Sequence, residues 1–197
     1  MLSIIDSSRR ALVNEIGFKI FEELVSSTIS DPDSINKKKL RDIIESTCEY
    51  ISILERVDEK LELDTDELPE AFNIARRTLR YFNLYEKGSI LDVSPFFSGC
   101  GIVSDCYGDV LVGDTLYEIK SGEREFRISD LKQLLIYITL NFSMRNTNIS
   151  NVAILNPRLG IFVKITIKEF LELSSGKSTI DTFNELINFF DNTDDFR

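Results

Sequence analysis

A hairpin pattern in the middle of the chain is expected to bring acidic side chains together. A Gly-Asp pair at positions 113 and 114 separates two short β-rich runs, and glycine at the first turn position suits a tight hairpin. Counting outwards from this turn predicts that Asp109 faces Glu118 across the two strands. Because side chains alternate along a strand, Lys120 is expected on the same face as Glu118. The sequence thus predicts two carboxylates and one ammonium group at one place.

These three groups are suited to binding a hard cation and activating water. Like charges at paired positions, about 5 Å apart, destabilise a sheet unless a cation lies between them. Carboxylate oxygens are good ligands for Mg2+ or Mn2+, and an ammonium group steadies an attacking water or a developing negative charge. The structural alternative is that Asp109 caps a strand, while Glu118 and Lys120 are ordinary polar positions on a solvated sheet face.

The segment after the hairpin predicts an amphipathic helix that carries two further polar side chains. Ser129-Asp130 is a helix-capping pair, and the apolar periodicity continues to about Asn141, with Leu131, Leu134, Leu135 and Ile138 on the buried side. Gln133 and Tyr137 are four residues apart and therefore share one face of this helix. Either they reach the carboxylates, Lys120 or a bound phosphate, or Tyr137 packs in the core and Gln133 caps a strand edge.

This succession of motifs resembles the PD-(D/E)XK nuclease superfamily, and within it the RecB-type branch. Gly108-Asp109 is similar to the first metal-binding element, Glu118-Ile119-Lys120 to the (D/E)-x-K element, and Gln133-x-x-x-Tyr137 to the Gln-x-x-x-Tyr element. The resemblance covers about residues 89–165. It implies a mixed sheet flanked by helices, phosphodiester hydrolysis with Mg2+ or Mn2+, metal binding by Asp109 and Glu118, and catalytic roles for all five side chains.

Two positions in this resemblance stay open. Asp105, at the end of Gly101-Ile102-Val103-Ser104-Asp105, also fits the first element, and no proline precedes Asp109. Asp109 is preferred because it is expected opposite Glu118. Many RecB-type nucleases also use an upstream glutamate, and Glu70 is selected because its helix immediately precedes the sheet; other candidates are Glu15, Glu22 and Glu23.

Composition excludes several other kinds of chemistry. The chain has 197 residues, a net charge of −10 and no histidine, which removes histidine-based catalysis and histidine-bearing zinc sites. Its three cysteines, Cys48, Cys100 and Cys106, are one short of a four-cysteine metal site and are expected to be reduced. No signal-peptide pattern opens the sequence and no apolar run reaches about 18 residues, so we expect a cytoplasmic protein without membrane contact.

The distribution of apolar residues and glycines along the chain predicts a helical region followed by a sheet region. In residues 1–88 apolar side chains recur every three or four positions, as in helices. The first stripe consists of Val13, Ile16, Ile20 and Leu24, and the second consists of Leu40, Ile43, Ile44, Thr47, Ile51, Leu54, Val57 and Leu61. Glycines and short β-rich runs appear from residue 89 onwards. We therefore predict an α/β (α+β) fold with two regions: a helical N-terminal extension, 1–88, and a core, 89–197, that holds a mixed sheet of about four to five strands flanked by helices.

Charge also indicates partners. Arg124 and Arg127 flank the expected site and are predicted to contact nucleic-acid phosphates. Yet an acidic chain repels a polyanion, so we expect efficient action on DNA, or on RNA, to require a protein partner or a homo-oligomer, for which the N-terminal helices offer docking faces. Those helices could instead simply complete the core.

The predicted activity is a DNA nuclease in a multi-protein defence or DNA-processing system; a ribonuclease toxin and a catalytically silent, partner-binding subunit are the alternatives.

Overall fold

A computed structural model describes residues 9–56, 61–144 and 147–192 of the chain. The chain divides into two compact units. The first comprises residues 1–88 together with the short segments 121–123 and 157–160. The second comprises residues 89–120, 124–156 and 161–197.

The first unit is helical. Its helices are α1 (Arg10–Ser26), α2 (Lys37–Glu55) and α3 (Leu68–Tyr85), with a short 3-10 helix at Pro32–Ser34. The start of α2 is fixed by Asn36, whose side chain accepts a hydrogen bond from the backbone of Lys38, and α3 carries Pro69 in its first turn. A side-chain cap therefore marks the start of α2, whereas α1 and α3 begin without a side-chain capping hydrogen bond.

Helix α1 packs against α3 along the predicted apolar stripe. Val13, Ile16, Ile20 and Leu24 are all buried, which confirms this stripe. Gly17 lies so near α3 that an added Cβ would meet Ile74 side-chain atoms at 3.0 Å. The stripe predicted for the second helix is partly wrong, because α2 ends at Glu55 and Leu54 is 58% exposed. Its member Val57 lies outside the described residues.

The second unit is built on a five-stranded mixed sheet, which confirms the predicted fold class. The strands of this sheet are β1 (Leu91–Val93), β4 (Val110–Val112), β5 (Thr115–Ile119), β6 (Asn151–Asn156) and β7 (Ile161–Thr166), in the order β1-β4-β5-β6-β7. Only the β5–β6 pair is parallel; the other pairs are antiparallel. Strands β2 (Phe96–Phe97) and β3 (Cys106–Tyr107) form a separate two-stranded sheet.

The register of the central hairpin is as predicted. Val112 pairs with Thr115, and Leu111 with Leu116. Gly113 in the turn has a φ of 57°, which glycine adopts without strain. The ladder ends one pair short of the expected Asp109–Glu118 pairing, because β4 begins at Val110.

Three helices accompany this sheet among the described residues of the second unit. They are α4 (Ile128–Met144), α5 (Ile167–Ser175) and α6 (Thr179–Asp191). Helix α4 provides the long connection that a parallel β5–β6 pair requires. Its Leu134 and Ile138 enter the hydrophobic core as predicted, whereas Leu131 is 40% exposed. None of the helices in the described ranges has the length and apolar character needed to cross a bilayer.

Candidate active site

Glu118 and Lys120 lie at the end of β5 and contact each other. Strand β5 is buried on both faces, and Glu118 is only 1% exposed. The Nζ atom of Lys120 lies 2.5 Å from Oε1 of Glu118, so the two side chains share one face as the alternation of a strand predicts. The backbone N–H of Lys120 donates to the carbonyl of Leu155 on β6 at 2.8 Å, which fixes this residue just beyond the strand.

Helix α4 supplies the next two polar side chains. Lys120 Nζ donates to Oε1 of Gln133 at 2.8 Å, and Nε2 of Gln133 donates to the hydroxyl of Tyr137 at 2.6 Å. The Tyr137 ring stacks on Phe97, with ring centroids 5.5 Å apart and an interplanar angle of 14°. A continuous hydrogen-bonded series therefore links Glu118, through Lys120, to Tyr137.

Asp109 joins this group from the segment before β4. Its Oδ2 accepts a hydrogen bond of 2.6 Å from the backbone N–H of Ile119, the residue between Glu118 and Lys120. The cross-strand pairing expected from the hairpin is thus replaced by a side-chain contact to the backbone of β5. We call Asp109, Glu118, Lys120, Gln133 and Tyr137 the Glu118 cluster.

The electrostatics of the cluster favour a bound cation. Burial, followed by the negative charge of Asp109, raises the pKa of Glu118 to about 8, against the opposing effect of Lys120. Burial also raises the pKa of Tyr137, which keeps its hydroxyl protonated near neutral pH. The cluster thus holds a carboxyl group whose ionised form needs more positive charge than Lys120 supplies.

The residues present fit a hard divalent cation. Within the described part of the chain, Oε2 of Glu118 is one of two buried side-chain N or O atoms without a hydrogen-bond partner. A buried acceptor in that condition costs about 1–3 kcal/mol, and a cation would remove the cost. Asp109 and Glu118 offer only oxygen ligands, the kind that Mg2+ and Mn2+ prefer. The described residues contain no group of three or more His, Cys, Asp or Glu that could hold a metal, so water or backbone oxygens would complete the coordination.

The structure places Asp105 in a different role. It lies in the exposed loop before β3, and its Oδ1 accepts a hydrogen bond of 2.7 Å from the backbone N–H of Gly99. Asp109, and not Asp105, contacts the backbone of β5. The preference for Asp109 as the first acidic residue therefore has a geometric basis.

Glu70 lies in the first unit, where it is 2% exposed and paired with Arg158. The guanidinium of Arg158 also donates to the carbonyl of Ser121 at 2.6 Å and to Oδ1 of Asn14 at 2.9 Å. The ion pair with Arg158 thus accounts for the burial of Glu70. Its predicted role as an upstream metal ligand stays a prediction.

The two arginines predicted to contact phosphates differ in their surroundings. The Arg124 guanidinium makes two hydrogen bonds to Asp130, of 2.7 and 2.8 Å, and a third to the carbonyl of Glu125. This pairing lowers the pKa of Asp130 to about 2. Arg127 is exposed, and its backbone N–H donates to Asp130 at 2.9 Å, which caps α4. Arg124 therefore has a structural partner, while the Arg127 side chain faces solvent.

Sequence reasoning missed the partners of several charged residues. The sequence predicts Asp130 only as a helix cap. Its ion pair with Arg124 is indicated only weakly, by the short separation of six positions between the two residues. Arg158 pairs with Glu70, 88 positions away, and no local pattern in the sequence indicates this pairing. Phe97 is part of a two-residue strand, too short to show periodicity.

No protein-family model matches the chain, and none of the curated proteins matches it.

Proposed function

We propose that this protein is a metal-dependent nuclease that hydrolyses phosphodiester bonds, with DNA as the substrate. The observation that carries the proposal is the buried Oε2 of Glu118, which lacks a hydrogen-bond partner among the described residues while the charge of Asp109 acts on the same carboxyl group. The ordered contacts from Lys120 to Gln133 and Tyr137 support it, because they position an ammonium group beside those carboxylates.

Each residue has a chemical task in this proposal. Asp109 and Glu118 would hold Mg2+ or Mn2+, which as a Lewis acid polarises a phosphoryl oxygen. Lys120 donates hydrogen bonds and stabilises the negative charge that develops on the phosphate as water attacks. Gln133 orients the Lys120 ammonium through its 2.8 Å hydrogen bond, and Tyr137 fixes the amide of Gln133 in turn.

The exposed Arg127 beside the N-terminus of α4 is the proposed phosphate contact, with Arg124 contributing only if it leaves Asp130. We further propose that the protein acts in the cytoplasm, within a multi-protein defence or DNA-processing system. No disulfide joins its three cysteines, as is usual for proteins of reducing compartments. A partner or a second copy would supply the grip on a polyanion that a chain with a net charge of −10 lacks.

The experiment is a cleavage panel with purified protein over single-stranded DNA, duplex DNA and RNA, in Mg2+ and in excess EDTA. Four variants test the assignment of the site: Asp109→Asn, Glu118→Gln and Lys120→Ala within the cluster, and Asp92→Asn as control. Asp92 is an exposed carboxylate on β1 of the same sheet, so it matches the change of charge without touching the cluster.

We expect Mg2+-dependent cleavage of DNA that both carboxylate variants abolish and that the control retains. Preferential cleavage of RNA, abolished by the same variants, would assign the same site to a ribonuclease. Cleavage by Asp109→Asn or Glu118→Gln at the wild-type rate would contradict the proposal. Failure to cut any substrate, with or without added cell extract, would favour the silent, partner-binding subunit.

A further inference from the structure

Two aromatic side chains lie exposed on the small sheet that β2 and β3 form. Phe96 of β2 pairs with Tyr107 of β3, and their ring centroids are 5.4 Å apart. The ring planes are inclined at 58°, so the two rings do not cover each other face to face. Phe96 is 46% exposed and Tyr107 is 63% exposed. Their mutual contact therefore leaves much of both side chains in solvent.

Both strands of this small sheet lead to the Glu118 cluster. The residue after Phe96 is Phe97, whose ring points to the opposite face, is 4% exposed and stacks on Tyr137. On the other strand, Tyr107 precedes Asp109 by two positions. Successive Cα atoms are about 3.8 Å apart, so the Cα atoms of Tyr107 and Asp109 lie within about 8 Å of each other. The exposed rings are thus next to the cluster.

Backbone pairing and close packing fix the exposed pair relative to the cluster. Beyond β2 and β3, the N–H of Gly108 donates to the carbonyl of Pro95 at 2.9 Å. The N–H of Ser94 donates to the carbonyl of Asp109 at the same distance. Gly108 lies so near Phe97 that an added Cβ would meet its ring at 3.0 Å. A surface held in this way loses little conformational entropy when a ligand binds to it.

We propose that Phe96 and Tyr107 form a stacking site for unpaired bases of a single-stranded nucleic acid. This inference rests on the proposed function, and it narrows the substrate to a single strand whose bases bind beside the phosphodiester bond that is cut. Every nucleobase has an aromatic face, so stacking on these rings requires no particular sequence. The bases of a duplex are already stacked and paired, and a duplex would have to open before it could occupy the rings.

The charge of the chain favours stacking over purely ionic binding. A duplex carries one negative charge per about 1.7 Å of helix axis, and firm binding requires several lysine or arginine contacts to its phosphates. A net charge of −10 opposes such binding, and the guanidinium of Arg124 is already paired with Asp130. Stacking adds affinity without adding positive charge, and at Phe96 and Tyr107 it adds that affinity beside the cluster.

Fluorescence anisotropy of labelled oligonucleotides of about 12 nucleotides measures this binding. The full chain is titrated in EDTA at about 0.05 M NaCl, where contacts to phosphates are strong. The probes are single-stranded DNA, single-stranded RNA, duplex DNA, and an abasic single strand that keeps the phosphates but lacks the bases. Wild type should bind a base-bearing single strand more tightly than the abasic strand or the duplex. A preference for DNA or for RNA identifies the source of the bases, and either supports the stacking site.

Substitutions test the contribution of the rings. Phe96→Ala and Tyr107→Ala should each weaken binding of the single strand by about 5- to 150-fold, and neither should change binding of the abasic strand. Phe96→Leu keeps an apolar side chain without a ring and should lose affinity, whereas Phe96→Tyr and Tyr107→Phe should bind as wild type does. These variants of similar bulk decide the question if an alanine variant is unstable. Tyr50→Ala is the matched control, since Tyr50 is 53% exposed on α2, and it should bind as wild type does.

Measuring binding without cleavage separates this inference from the proposed function. If binding of single strands depends on both rings but no substrate is cut, the stacking site stands and the nuclease proposal fails. If the chain cuts nucleic acid while Phe96→Leu and Tyr107→Ala bind single strands as wild type does, the stacking site is overturned and the nuclease proposal stands. Equal affinity for abasic and base-bearing strands would also overturn the stacking site. Absence of binding to any strand would overturn it in favour of a protein contact at these rings.

Discussion

Replacing Glu118 by glutamine should change how the stability of the metal-free protein depends on pH. Glutamine keeps the shape of the side chain and an acceptor for Lys120, but it cannot ionise. Glu118 has a pKa of about 8 in the folded chain, above its ordinary value of 4.5. The folded state therefore binds this proton more tightly than the unfolded state does. The resulting stabilisation is complete below pH 4.5 and is lost as the pH rises through 8.

The size of the effect follows from the two pKa values. One pKa unit corresponds to about 1.4 kcal/mol, so ionisation of Glu118 should lower the free energy of unfolding by about 3 kcal/mol at pH 7 and about 4 kcal/mol at pH 8. At pH 5 the carboxyl group is protonated in the folded state, and wild type and Glu118→Gln should agree within about 1 kcal/mol. At pH 8 the variant should be the more stable protein, by a large fraction of the roughly 5–15 kcal/mol typical of a folded chain.

Urea unfolding followed by far-ultraviolet circular dichroism, between pH 5 and 8.5 in EDTA, measures this difference. Mg2+ is then added at pH 8. A ligand at 100 times its Kd stabilises the folded state by about 2.7 kcal/mol, and this gain should appear in wild type and be absent from Glu118→Gln. Asp92→Asn serves as the control, because it removes an exposed carboxylate from the same sheet.

The reasoning would be refuted by parallel pH profiles for wild type and Glu118→Gln, since Glu118 would then not titrate in this range. An equal gain from Mg2+ in both proteins would separately exclude Glu118 as a ligand. Destabilisation of the variant at pH 8 would show that the negative charge on Glu118 stabilises the fold, contrary to its burial beside Asp109.

Three further outcomes are expected. Lys120→Ala should lower the cleavage rate by about 10²–10³-fold and keep the stabilisation by Mg2+. The control Lys132→Ala, at an exposed position on the same helix as Gln133, should leave both the rate and the stabilisation unchanged. Loss of the Mg2+ effect in Lys120→Ala would contradict the assignment of metal binding to the carboxylates and of charge stabilisation to Lys120. Mn2+ should replace Mg2+ in cleavage, Ca2+ should bind without turnover, and cleavage that persists in excess EDTA would exclude a metal mechanism. Asp130→Asn should lower the free energy of unfolding at pH 7 by about 2 kcal/mol, because the hydrogen bonds from Arg124 lower the pKa of Asp130 from 3.8 to about 2 in the folded state. This stabilisation is present above pH 3.8 and is lost as the pH falls through 2. An unchanged acid-unfolding profile of the variant would contradict this expectation.

Local patterns predicted the parts of the fold that depend on nearby residues. The Gly113 turn fixes the hairpin register, since the strands continue directly from it, and the period of two then brings Lys120 to Glu118. The four-residue spacing of Gln133 and Tyr137 placed both on one helix face, where they contact each other. Each of these inferences spans only a few residues and uses a single periodicity.

Contacts between distant residues could not be derived in the same way. Asp109 accepts a hydrogen bond from the backbone of Ile119 because the chain bends before β4. No residue pattern in the sequence predicts that bend. Arg124 lies where a phosphate contact was expected, yet the nearby Asp130 already takes its guanidinium. Charge patterns show which side chains are available for pairing, whereas the partner depends on how the backbone places each of them.

Two buried glutamates in this chain have opposite electrostatic surroundings. Glu70 is paired with Arg158, whose guanidinium makes further hydrogen bonds to Ser121 and Asn14. Such pairing offsets the cost of burying both charges. Glu118 is as deeply buried, and this burial, together with the negative charge of Asp109, raises its pKa. Lys120 donates a hydrogen bond to one of its oxygens, and no described residue donates one to the other. An apolar residue at this strand position would stabilise the fold more than an ionised glutamate does. Stabilisation of the sheet does not account for the arrangement around Glu118, which supports the proposed cation site there.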